Sequence, residues 1–109
     1  MESYRPGDVV LLLFPFTDAE GARRRPSLLL VDTGDEDIVV ARITSQAPRD
    51  AHDLRIEKWQ SAGLLLPSVV RVHKLATLER GLVHTGLGRL DEEDWGRVQS
   101  RIRELWNIE

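Results

Sequence analysis

Apolar residues come in short runs bounded by turn residues. Residues 9–14 form an unbroken apolar run between Pro6-Gly7-Asp8 and Pro15. Six residues rich in β-formers between turn signals predict a buried strand rather than a helix. Thr17 to Arg25 follows as a long polar loop with Gly21 in its middle. Pro26 opens a second apolar strand over 27–31, since proline is tolerated at a strand's first residue. Residues 32–37 are a turn, and 38–45, heavy in β-branched residues, a third strand. After a connection over 48–53, residues 53–57 alternate polar and apolar, the period of a half-exposed strand. Residues 58–66 are mixed, with Gly63 near the end, and suit one short helix. Residues 68–72 read as strand, continuing with alternation to Leu78, and 82–85 as a last extended piece. The clearest helix is terminal: Asp91 is a good N-cap, and Glu92, Glu93 and Asp94 suit the positive pole of the dipole. Trp95, Val98, Ile102, Leu105 and Trp106 then form one apolar stripe that must cover the sheet. The pattern predicts a small, mostly antiparallel β-barrel with a C-terminal α-helix and one or two short helices.

At 109 residues the chain makes one domain, 1–109. It has no cysteine, which excludes a disulfide framework, a thiol nucleophile and a Cys-ligated metal. No apolar run approaches the roughly 20 residues that span a bilayer, and the N-terminal residues lack a signal-peptide layout. A cytoplasmic protein with no membrane association is expected. The net charge of −3 argues against nucleic-acid binding until its distribution is considered. Residues 91–109 carry six acids and three arginines, so the first 90 residues hold 12 acids and 12 bases. Within them Arg23, Arg24 and Arg25 concentrate positive charge. Taken alone the triplet describes a solvated loop, yet a small local patch can bind phosphate on an acidic protein.

Several chemistries lack support. The histidines at 52, 73 and 84 form no zinc-ligand spacing, so neither a metal nor a cofactor is expected. Gly86-Leu-Gly88 precedes an acidic helix start, which repels phosphate, and no Gly-x-Ser-x-Gly elbow is present. What remains is the loop before Pro26 and the end of the third strand. If strands two and three pair as a hairpin, Arg25 and Thr44 lie at the same edge, with Ser45 and Gln46 beside them and Glu20 in the adjoining loop. Arginine matches phosphate bidentately, and hydroxyls donate to oxygens that gain charge in a transition state. A surface ion pair beside an ordinary hydrogen-bonded strand end is the structural alternative. Arg23 and Arg24 can reach phosphates. Phe16 and Trp59 can stack unpaired bases, or Trp59 can pack instead.

The ordered set Pro6-Gly7-Asp8-Val9-Val10, Phe14-Pro15-Phe16-Thr17-Asp18, Arg25-Pro26 with its apolar strand, Ile43-Thr44-Ser45-Gln46 and Leu66-Pro67-Ser68-Val69-Val70 resembles the MazF/PemK family of type II toxin–antitoxin toxins. The resemblance covers nearly the whole chain. It implies an SH3-like barrel of the MazF/CcdB type, packed as a homodimer, and metal-independent, sequence-selective cleavage of single-stranded RNA. Carried over residue by residue, it implies Arg25, Thr44 and Glu20 as catalytic residues. Some members have a serine just before the acid, where this chain has Ala19. The resemblance also implies a cognate antitoxin whose acidic or amphipathic tail would meet Arg23, Arg24 and Arg25. Similar folds occur in CcdB-like gyrase poisons, which act through a C-terminal tryptophan; Trp106 stands near the end of this chain, on the helix stripe, where packing accounts for it.

Overall fold

The computed structural model describes residues 4–15 and 22–107, and at 14, 15, 22 and 23 the backbone alone. Six strands form one antiparallel sheet: β1 (Asp8–Pro15), β2 (Ala22–Asp32), β3 (Asp37–Thr44), β4 (Asp53–Arg55), β5 (Val69–Glu79) and β6 (Val83–Arg89). Their order across the sheet is β4-β5-β3-β2-β1-β6. Helix α1 (Glu92–Trp106) closes the chain, and a single 3-10 turn (Arg80–Leu82) joins β5 to β6. The antiparallel sheet and the C-terminal helix are as expected. Among the described residues no helix is long and apolar enough to cross a membrane.

The unbroken apolar runs have a direct cause: the central strands are covered on both faces. Val9, Leu28, Leu30, Ala41, Ile43, Val70 and Val72 belong to one core, against which Trp95, Ile102 and Leu105 of α1 pack. Their sequence neighbours Val10, Leu12, Leu29 and Val40 point the other way, into a second core roofed by Tyr4, Leu78, Leu82 and Val83. Alternation along a strand therefore distributes apolar side chains between two cores instead of between core and solvent.

The sheet bends at bulges. The sharpest lies in β5: Ala41 faces Leu75 while Arg42 faces Arg71, so Val72, His73 and Lys74 loop out. The Val72 amide donates to the His52 carbonyl at 2.9 Å, tying this bulge to the segment before β4.

Several expectations need correction, among them the last strand, expected over 82–85, which runs from Val83 to Arg89. Strand β2 begins at Ala22, so Arg25 lies inside it, opposite Leu12, rather than in a loop before it. From Ala22 to Leu28 β2 pairs with β1, and its pairing with β3 starts only at Ser27. Pro26 thus sits where one side of the strand needs no ladder donor. Residues 58–66 form turns rather than a short helix. The amides of Ala62, Gly63 and Leu64 reach back four, three and five residues in turn, and Gly63 adopts a φ of +87°.

Helix α1 starts as its sequence demands. The Asp91 side chain accepts from the Glu93 amide, and Asn107 ends the helix in the left-handed conformation. Asp94 does more than complement the dipole. It is 3% exposed and accepts from the amides of Glu57 and Lys58 at 3.1 and 3.0 Å, fastening the helix to the 57–64 turns. Of the apolar stripe, Val98 is buried, but Trp106 is 51% exposed, so packing does not account for it.

Candidate active site

Strands β2 and β3 carry the site. Their register sets Ser27 opposite Arg42 and Leu28 opposite Ala41. Continued by two residues, the same register sets Arg25 opposite Thr44, although the ladder itself stops at Ser27. Both side chains are half-buried and line one cleft of about 420 Å³. Apart from Ser45 and Ser68 its other walls are apolar, among them Leu11 of β1, Ile43 of β3, and Leu64, Leu65 and Leu66 from the turns. Leu65 and Leu66 are 92% and 58% exposed, leaving an apolar rim beside a guanidinium.

The turns reach this position through a close backbone approach. A Cβ on Gly63 would meet the Leu87 carbonyl oxygen at 2.0 Å, and one on Gly88 would meet the Ala62 oxygen at 2.5 Å. Only glycine at both places lets the 62–63 backbone press against β6 and hold Leu64 to Leu66 over the cleft.

Thr44 is oriented by its neighbour. Its Oγ1 accepts from the Gln46 amide at 3.2 Å, which directs the hydroxyl hydrogen elsewhere. The Gln46 side chain is braced in turn. Its Oε1 accepts from Arg71 Nη2 at 3.0 Å and Arg49 Nη2 at 3.3 Å. With the carbonyl end held by two guanidinium groups, the amide NH₂ must face away from them.

Arg25 also lines a second cavity of about 250 Å³ with Ser27, Val40, Arg42 and Lys74. Partial burial, then the charges of Arg25, Arg71 and Arg49, push the Arg42 guanidinium below its ordinary value. Four arginines therefore share one field across β2, β3, β5 and the segment between β3 and β4. A positive field beside an apolar cleft can seat a polyanion whose bases need a dry surface.

The sequence-predicted residues divide into three groups. Arg25 and Thr44 share the cleft, Ser45 lines it, and Gln46 lies in an adjoining one with Ser45 and Trp59. Arg24 is exposed, opposite Leu13, and the Arg23 backbone lies opposite Phe14. Glu20 and Phe16 lie outside the described residues. Trp59 is half-buried and packs on the main core. Sequence reasoning missed Arg42, Arg71, Arg49 and Lys74. A signal existed for the first two: each is a lone arginine interrupting an apolar β-strand, Ala41-Arg42-Ile43 and Val70-Arg71-Val72.

No curated protein matches the chain in sequence. Solved structures match its fold closely. The MazE–MazF crystal structure from Deinococcus radiodurans superposes with a TM-score of 0.79 at 17% identity, over 100% of each chain. The toxin MazF-mt6 of Mycobacterium tuberculosis gives a TM-score of 0.74 at 19% identity, over 94% of this chain and 98% of that one. A mycobacterial endoribonuclease in complex with its cognate antitoxin gives 0.76 at 14% identity, over 98% of both. At these identities the likeness establishes the fold, a MazF-like sheet with a C-terminal helix. The sequence pattern described as "PemK-like, MazF-like toxin of type II toxin-antitoxin system" matches residues 5–106. That match spans both strands of the cleft and the closing helix, and the chain belongs to this family of toxins.

Proposed function

We propose that this toxin is an endoribonuclease that cleaves single-stranded RNA, with Arg25 and Thr44 acting on the scissile phosphate. The observation that carries the reading is the shared cleft: a guanidinium and an oriented hydroxyl line one cavity from opposite strands. Membership of the family, and the endoribonuclease among the solved structures of the same fold, support it.

The substrate's own 2′-hydroxyl attacks the adjacent phosphorus and gives up its proton, and the 5′-oxygen of the next nucleotide leaves with a proton delivered at Arg25 through water. The products are a 2′,3′-cyclic phosphate and a 5′-hydroxyl, so no water or metal-bound nucleophile enters the bond-breaking step. Arg25 stabilises the charge that builds on the phosphorane, and Thr44 donates its hydroxyl hydrogen to a non-bridging oxygen. Glu20, which precedes β2 in the sequence, orients Arg25 or accepts the 2′-proton. Arg42 and Lys74 hold the neighbouring phosphate in the second cavity, while Leu64 to Leu66 offer an apolar wall for an unstacked base. Ser45 and Gln46 contact the strand where it leaves the cleft, and the Gln46 NH₂ is the donor aimed at a base. Arg23, Arg24 and Phe16 are assigned further contacts to the RNA on the sequence reading. The cationic field also suits the acidic tail of a cognate antitoxin, which would both block and neutralise the site; the toxin is expected to work as a homodimer.

The test is incubation of a long single-stranded RNA with wild type and Arg25→Ala, in EDTA, followed by mass analysis of the ends. Wild type should give cyclic-phosphate and 5′-hydroxyl termini, and Arg25→Ala should lose activity by about 10²–10³ while remaining folded. Normal cleavage by Arg25→Ala overturns the assignment. Toxicity without RNA cleavage, lost on truncation before Trp106, would favour a gyrase poison.

A further inference from the structure

The site proposed above leaves one polar cluster unused. Asp50, Asp53 and His73 each bring a ligand atom within 4.8 Å of the others. Asp50 and Asp53 flank the turn into β4, and His73 sits in the β5 bulge. The Val72-to-His52 hydrogen bond brings these segments together. No sequence spacing announces the cluster, because 20 positions separate Asp53 from His73.

The central carboxylate is incompletely satisfied. Asp53 is 6% exposed. Its Oδ2 accepts from the Arg49 amide at 2.9 Å, while Oδ1 is buried with no hydrogen-bond partner. The ion pairs among the described residues do not include Asp53. Its cross-strand neighbour Arg71 donates to Gln46 instead. A buried carboxylate oxygen without a partner is destabilising, and a cation would satisfy it. The ring of His52 packs 5.1 Å from that of His73, and its buried Nδ1 also lacks a partner.

We propose that Asp50, Asp53 and His73 form a divalent metal site selective for zinc-like ions, separate from the ribonuclease cleft. One imidazole and two carboxylates are an oxygen–nitrogen set that suits zinc better than magnesium or calcium. A tetrahedral zinc with bonds of about 2.0–2.1 Å holds its donors about 3.3–3.4 Å apart. The cluster must therefore contract. His73 is exposed and can rotate inward, and exposed Asp50, whose Oδ1 accepts from the His52 amide at 2.8 Å, ligates through Oδ2, while buried Asp53 stays as the fixed ligand. Arg49 and Arg71 stand close by and limit the affinity, so binding in the micromolar range is expected. A bound ion clamps the 46–53 segment, which carries Gln46 and Arg49, to the β5 bulge.

The experiment is isothermal titration of the untagged full-length chain with zinc chloride. Parallel titrations use His73→Ala, Asp50→Ala and, as a control on another strand, His84→Ala. Both ligand residues are exposed, so their replacement should leave the fold intact, which circular dichroism checks. The site predicts saturable binding of one zinc per chain, weakened about tenfold or more by either ligand change and unaltered by His84→Ala. Zinc should also raise the melting temperature of wild type and not of His73→Ala. No saturable zinc binding, or binding untouched by both ligand changes, overturns the proposal. Neither readout involves RNA, so its failure leaves the ribonuclease reading standing.

Discussion

Asp94 fastens the terminal helix to the turns that wall the cleft, and its removal should be felt throughout the molecule. Its two carboxylate oxygens take the amides of Glu57 and Lys58 at 3.1 and 3.0 Å, in a position 3% exposed. Arg97 supplies a third interaction, but that side chain is 41% exposed. Hydrogen bonds to a charged group contribute about 1.5–3 kcal/mol each. Glu57 and Lys58 are exposed, so water can reclaim their amides and the lower end applies. The ion pair, screened by solvent on its arginine side, adds about 1 kcal/mol. Asp94→Ala should therefore destabilise the domain by about 4 kcal/mol, a large share of the roughly 5–15 kcal/mol that holds such a domain together. Arg97→Ala should lose about 1 kcal/mol. Asp94→Asn should behave like Asp94→Ala, because its NH₂ opposes one backbone donor with another. Guanidinium denaturation followed by tryptophan fluorescence and circular dichroism measures all three. A loss below about 0.5 kcal/mol for Asp94→Ala, or an equal loss for Arg97→Ala, would refute the reasoning.

Three further outcomes follow from particular side chains. Gly63→Ala should destabilise by more than about 3 kcal/mol, since its Cβ would strike the Leu87 carbonyl, whereas Gly34→Ala, at φ +91° in open space, should lose only about 1–2 kcal/mol; thermal melts of the two variants compare them. Hydrogen bonding to Arg80, then to the Gly34 amide, lowers the Asp32 carboxyl to about 2. Its stabilising contribution is complete above the unfolded value of about 3.9 and disappears as pH falls through about 2, so the stability gap between wild type and Asp32→Asn should shrink over that interval; a constant gap would contradict the assignment. Gln46→Glu places a carboxylate between Arg49 and Arg71, which should weaken RNA binding and make the dependence of log K on log salt shallower by about 0.7 for each phosphate the protein ceases to neutralise, as fluorescence anisotropy would show.

The central strands of this fold were legible because burial on both faces leaves unbroken apolar runs between turn residues, and the helix because its cap, acids and stripe agree. The start of β2 was hidden. Ala22 to Arg25 pair with β1 alone and carry charges at the sheet's margin, so their composition reads as loop. The turns at 58–66 contain enough apolar residues for a helix, and only the Gly63 conformation and its approach to β6 exclude one. For the site, antiparallel pairing of β2 with β3 was enough to bring Arg25 towards Thr44. Arg42 and Arg71 could have been suspected as single charges within apolar strands. The Asp50–Asp53–His73 cluster could not, because it depends on a bulge in β5 that no local pattern encodes.

The central claim is that Arg25 and Thr44 stabilise the same phosphate. Single-turnover cleavage by wild type, Arg25→Ala, Thr44→Val and the double variant measures this directly. Each single change should slow cleavage by about 10²–10³, and the double variant should be far faster than the product of the two losses predicts, because the groups share one transition state. Losses that simply multiply, or a single variant that cleaves at the wild-type rate, would contradict it.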